Sequence, residues 1–145
     1  MTTLHEATGP ELSAAQLHDI LRLRSDVFVV EQKAAYADID GRDLLPDTRH
    51  LWFDGENGVV AYLRVLSDPG GIQRIGRVVT AADARGKGLA GRLMDAAVVG
   101  DGEYVLDAQT YVQDFYARYG FVAEGAEYED DDGIPHIRMR RPAAR

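Results

Sequence analysis

The stretch from Ile72 to Leu106 changes its hydrophobic period twice, and this restricts the fold more than any other feature of the chain. Residues 72–80, with Ile75, Val78 and Val79, read as a strand, and Leu89, Leu93, Met94 and Ala97 then share one helical face over about 86–99. Gly100-Asp101-Gly102 stops that helix, and 104–106 is a strand again. Two strands joined through a helix cannot form a hairpin, so the unit is a crossover between parallel strands. Upstream the signal is the opposite. Residues 50–53 and 59–66, rich in β-branched and aromatic side chains, flank Asp54-Gly55-Glu56-Asn57-Gly58, which reads as a hairpin turn between antiparallel strands.

The remaining segments fill in around that unit. Ser13-Ala14-Ala15-Gln16 reads as a capping box. It opens a helix whose stripe Leu17, Ile20, Leu21, Arg24 and Phe28 runs to about Val30. Residues 31–48, with Asp38, Asp40, Gly41, Asp43 and Pro46, have turn chemistry and read as a long loop, often a binding element in a small domain. Val112, Phe115, Tyr116 and Tyr119 mark a further helix ended by Gly120, and 121–123 and 136–139 read as two last strands around an acidic loop, 127–132. The fold class is a mixed α/β (α+β) sandwich, expected as one domain over 1–145, since 145 residues support about one core.

Charge and composition exclude several functions. With 16 basic and 24 acidic residues the chain carries −8, so its global field repels phosphate backbones and anionic bilayers; neither nucleic acid nor membrane is an expected partner. No apolar run approaches the roughly 18 residues of a membrane span, and the first ten residues lack the apolar centre of a signal peptide. Cys is absent, which removes disulfides, thiolate metal sites and a cysteine nucleophile and fits a reducing, cytoplasmic setting. No His pair has ligand spacing, so no metal is expected.

Against this acidic background, 74–92 holds Arg74, Arg77, Arg85, Lys87 and Arg92 with Asp83 as its one acid. Within it Arg85-Gly86-Lys87-Gly88-Leu89-Ala90-Gly91 stands where a strand passes into a helix, so bare amides and the positive helix end can face an anion. A triphosphate-binding loop is excluded because Ala81 replaces its first Gly and Gly88 its metal-binding hydroxyl. Gly86-x-Gly88-x-x-Gly91, with Asp107 downstream, matches a dinucleotide fingerprint. That unit, however, normally opens its domain, whereas here about half the chain precedes it. The phosphates of coenzyme A are the third reading.

Arg85 to Ala90 matches Arg/Gln-x-x-Gly-x-Gly/Ala, the acyl-CoA signature of the GNAT superfamily of N-acetyltransferases, which this sequence resembles along nearly its whole length. Residues 21–32 (LRLRSDVFVVEQ), 75–79 (IGRVV), 115–121 (FYARYGF) and 132–137 (DGIPHI) are similar to its ElaA-like branch. The resemblance implies a mostly antiparallel sheet with a central splayed parallel pair and helices on both faces. It also implies acetyl-CoA as cofactor: amides of Val78, Val79 and Thr80 on the pantetheine and thioester oxygen, and amides of Arg85, Gly86, Lys87, Gly88, Leu89 and Ala90 on the pyrophosphate. Gln109 and Phe115 complete the cofactor side.

Transfer to an amine needs a proton for the departing thiolate and a base for the incoming ammonium. The resemblance places Tyr116 as general acid and Glu31 and Gln32 against the acceptor, while His136, His50 and Glu31 are the candidate bases. Asp107 has the position of a helix cap, and the acids over 127–132, with Glu31, would favour a cationic amine whose affinity falls as salt rises. The expected activity is acetyl transfer to a primary amine of a small molecule or peptide by direct attack, in a monomer or homodimer. The competing class is a non-catalytic acyl-CoA sensor or protein-interaction domain, which would bind the same cofactor without turning it over.

Overall fold

The computed structural model describes residues 3–34, 36–129 and 133–144; Asp130, Asp131 and Asp132 of the expected acidic loop lie outside them. Seven strands, β1 Thr3–Thr8, β2 Arg49–Gly55, β3 Gly58–Ser67, β4 Gln73–Thr80, β5 Tyr104–Gln109, β6 Val122–Glu129 and β7 Pro135–Arg141, form one sheet in the order β1-β2-β3-β4-β5-β7-β6. Every neighbouring pair is antiparallel except β4 and β5, the pair joined through the crossover helix. That parallel pairing is short. It comprises Gln73↔Tyr104 and Arg74↔Val105, after which the two strands diverge.

Strand alternation sends two apolar layers to opposite faces. Trp52, Tyr62 and Val79 meet Ile20 and Leu23 of α1 (Ala14–Arg24) on one face. Leu51, Phe53, Leu63, Ile75 and Leu106 meet Leu93 and Met94 of α2 (Leu89–Ala97) on the other, where Tyr116 of α3 (Gln113–Ala117) also packs. Leu93 and Met94 are fully buried, each stabilising the fold by about 1.5–3 kcal/mol relative to exposure.

The capping box at α1 forms as its spacing predicts: Gln16 N–H donates to Ser13 Oγ at 3.1 Å and Ser13 N–H to Gln16 Oε1 at 3.0 Å. The helix then continues as a wider π-helical turn, Ser25–Glu31, which carries the chain to the mouth of the sheet split. Three boundaries differ from the sequence reading. β1 is unforeseen because TLHEAT has little apolar content; it is an edge strand whose His5 ring stacks on Trp52 at 5.4 Å. α2 begins three residues late because Gly86 (φ 79) and Gly88 (φ 75) are left-handed, a conformation that L side chains resist. β6 runs to Glu129, so Glu127 and Glu129 belong to a strand; it is exposed along its length and therefore never needed to alternate.

Candidate active site

Where β4 leaves β5, it also carries a bulge. Tyr62 pairs with Val79 and Arg64 with Gly76, so Arg77 and Val78 together oppose Leu63 alone. Arg77 takes a left-handed backbone there (φ 55), which is uncommon for a residue with a Cβ and needs support from its surroundings. The bulge and the divergence free the β5-facing edge of β4 from 75 to 80. They open a cavity of about 890 Å³ that passes through the sheet, from Ala90, Phe115 and Tyr116 on the α2 side to Tyr36, Arg42 and Arg74 on the α1 side.

The support for Arg77 is a closed ring of alternating charges. Arg24 Nε meets Asp38 at 3.0 Å and its Nη1 meets Asp43 at 2.7 Å; Arg64 bridges Asp43 at 3.0 Å and Asp40 at 2.5 Å; Arg77 bridges Asp40 at 3.5 Å and returns to Asp38 at 2.9 Å. Arg24 and Arg64 are almost wholly buried. Burial opposes ionisation of Asp40 and Asp43, yet the guanidiniums of Arg64 and Arg24 bonded to them hold both carboxyls below the usual range. Tyr36 extends the ring, donating to Asp38 Oδ1 at 2.7 Å and lying beneath the Arg77 guanidinium. The ring ties the helix end, the 36–43 loop, β3 and the β4 bulge into one rigid wall. Sequence reasoning missed it, although Arg24 on the apolar stripe of α1 and the trio Asp38, Asp40 and Asp43 were its signal.

Of the sequence-nominated residues, Val78, Val79, Thr80, Arg85, Ala90, Gln109, Phe115, Tyr116, Glu31, Gln32 and His136 all line the cavity. Gly86, Lys87, Gly88 and Leu89 form the turn at its rim, and Lys87 and Leu89 border an adjoining depression of about 530 Å³. Arg85 turns inward, donating from Nη1 and Nη2 to the two oxygens of Glu31 at 2.7 and 2.9 Å and from Nε to Thr80 O at 3.1 Å; this pairing lowers the Glu31 pKa. Gln109 Nε2 donates to Gln32 Oε1 at 3.3 Å across the split.

Tyr116 is buried, its hydroxyl has no hydrogen-bond partner among the described residues, and desolvation raises its pKa, so it holds its proton. His136 Nδ1 lies 2.7 Å from Ile134 O; a carbonyl only accepts, so Nδ1 carries a hydrogen, and in the neutral tautomer this leaves the lone pair on Nε2. His50, by contrast, lies outside the cavity: it donates from Nε2 to Asp43 O at 2.7 Å and accepts from Tyr62 Oη at Nδ1, 2.6 Å away. Burial pushes its pKa down, and it serves the wall rather than the chemistry. Asp107 caps no helix but pairs with Arg74 at 3.0 Å and Arg138 at 3.3 Å.

Comparison with known proteins agrees with this geometry. The family described as Acetyltransferase (GNAT) domain matches residues 13–142. A UPF0039 protein of Mycobacterium tuberculosis H37Rv is 44% identical over 147 residues, covering 97% of this chain and 94% of its own. The crystal structure of an acyl-CoA N-acyltransferase from Pseudomonas aeruginosa superposes with a TM-score of 0.88 at 41% identity, covering 96% of this chain and 99% of that one. The crystal structure of Escherichia coli ElaA gives 0.89 at 37% identity, with 97% and 99% covered.

Proposed function

Because this chain belongs to the GNAT acetyltransferase family, we propose that it is an acetyl-CoA-dependent N-acetyltransferase acting on a primary amine of a small molecule or peptide, by direct attack in a ternary complex. The observation that carries this reading is the through-sheet gap beside the β4 bulge. It joins a glycine-rich anion turn at one end to a polar chamber at the other, with an unpartnered tyrosine hydroxyl between.

Acetyl-CoA supplies an activated acetyl group: the amine nitrogen bonds to the carbonyl carbon, the carbon–sulfur bond breaks and sulfur leaves as a thiolate. The chain's residues have distinct tasks. At the edge of β4 spanning Val78, Val79 and Thr80, the amides of Val78 and Thr80 face the split, Val79 being turned to β3 like Ala81, and are offered to the thioester oxygen as it gains charge. The amides of Arg85 through Ala90 and the start of α2 hold the pyrophosphate, with Gln109 and Phe115 along the arm. Tyr116, kept protonated by burial, donates from Oη to the departing sulfur. His136 Nε2 accepts the ammonium proton, directly or through one water, while Glu31 and Gln32 orient the amine.

The test is thiol release from acetyl-CoA across a panel of primary amines. Amine-dependent release with formation of the N-acetyl product is the expected result. Tight calorimetric binding of acetyl-CoA with no release for any amine would instead identify a binding module, and faster turnover of a longer acyl thioester would reassign the donor.

A further inference from the structure

The charges on the α1 side of the cavity describe the acceptor. We propose that the acceptor amine carries a carboxylate on the same molecule, as an amino acid does, and that Arg42 and Arg74 bind it. The proposal rests on the acyltransferase reading for the word acceptor, and on the cavity wall alone for the anion.

Among the described residues three carboxylates line the cavity, and arginine engages both oxygens of each. Glu31 is held by Arg85 at the cofactor end. Asp40 takes Arg64 at Oδ1 (2.9 Å) and Oδ2 (2.5 Å), with Arg77 also at Oδ2. Asp107 takes Arg74 at Oδ2 and Arg138 at Oδ1. Among the described residues, then, no carboxylate on the α1 side of the cavity is open to a cationic ligand.

Of the cavity arginines, Arg42 is the least engaged. Strand alternation from Ile75 and Leu106, which face α2, sets Arg74 and Asp107 on the α1 side. There both Arg74 and Arg42 reach Asp68: Arg74 binds it through Nε at 2.8 Å in addition to its Nη1 bond to Asp107, whereas Arg42 Nη2 reaches it only at 3.4 Å. Arg42 has no other ion pair among the described residues, its side chain is 41% exposed, and it borders the cavity. The run Arg42–Asp68–Arg74–Asp107–Arg138 thus has arginine at both ends, and its Arg42 end opens into the chamber. A planar carboxylate entering beside Arg42 gains the bidentate geometry that Asp68 does not give it. A purely cationic acceptor would meet guanidiniums in its place.

The experiment is calorimetry on the CoA-saturated protein with N-acetylated α-, β- and γ-amino acids, each against its own primary amide. At least one carboxylate should bind roughly tenfold or more tighter than its amide, the size expected of a charge-assisted contact. Arg42→Gln should remove that preference while leaving the Kd for coenzyme A unchanged. Equal or tighter binding of the amides, a preference that survives Arg42→Gln, or no binding of any pair overturns the proposal. The two readings fail separately: an absence of acetyl transfer with the carboxylate preference intact defeats the enzyme and leaves the anion site, whereas transfer to amines without any such preference does the reverse.

Discussion

Arg85 grips Glu31 through two parallel hydrogen bonds of 2.7 and 2.9 Å, joining the glycine-rich turn before α2 to the end of the π-helical segment. A guanidinium committed to a carboxylate is not free for a phosphate, so on the proposed cofactor site acetyl-CoA entry and the Glu31 contact would compete. Both side chains are partly exposed, which keeps the pair weak enough to open. Glu31→Gln should therefore tighten acetyl-CoA binding by about two- to fivefold. Arg85→Ala should weaken it by roughly tenfold to a hundredfold. Calorimetric titration of both variants decides, and unchanged affinity in Arg85→Ala would move the phosphates away from this side chain.

Tyr116→Phe removes one oxygen from a side chain whose ring is packed against Phe115 and Phe121. The fold should survive. Turnover at saturating acetyl-CoA should fall by about 10²–10⁴-fold, the usual contribution of a placed acid, with the cofactor Kd nearly constant. Unchanged turnover would remove the hydroxyl from the proton path.

His136→Gln should likewise lower kcat by about 10²–10⁴-fold. A Gln amide can still donate to Ile134 O but offers no basic nitrogen to the cavity. A loss confined to KM would assign His136 to acceptor orientation instead.

The charge ring should be costly to break. Asp43→Ala leaves Arg24 and Arg64 buried with one carboxylate fewer between them, a change worth about 3–5 kcal/mol by the usual penalty for an orphaned buried charge. Denaturant unfolding measures it directly. A loss below about 1 kcal/mol would mean that water reaches the ring.

Acid should act on the same residues. Asp40 and Asp43 have folded-state pKa values below those of the unfolded chain, so their stabilisation is complete above the unfolded Asp value of about 3.9 and fades as pH falls through the folded values. Thermal midpoints should be nearly level from about pH 6 to 5 on this account and decline below about 4. Asp43→Ala should flatten that decline; an identical acid slope in the variant would place the sensitive carboxylates elsewhere.

What could be read from the sequence followed from local rules. Ser13 and Gln16 announce α1, Gly86 and Gly88 announce a left-handed turn into α2, and the strand–helix–strand unit forces a parallel pair. Tyr116 and Glu31 were reachable only through family resemblance, since nothing in their spacing says that they face one gap. The ring was out of reach for a physical reason: its six members come from 24 to 77, and pairing among them is decided by tertiary approach. Arg77 hid its left-handed backbone because a non-glycine gives no sign of it. β1 was missed because a half-exposed edge strand need not look apolar.

Among the described residues the four strands on one side of the split and the three on the other pair only at Gln73↔Tyr104 and Arg74↔Val105, with Gln73 N–H also donating to Glu103 O at 3.0 Å. The place proposed to receive a thioester carrier is thus also a narrow seam of the sheet, and a carrier lying there would act as mortar between two slabs. At a hundredfold excess over its dissociation constant such an occupant adds about 2.7 kcal/mol to the resistance against unfolding. If acetyl-CoA is that occupant, the lifetime of this protein in a cell would follow the supply of its proposed acyl donor, rising in plenty and shortening in scarcity.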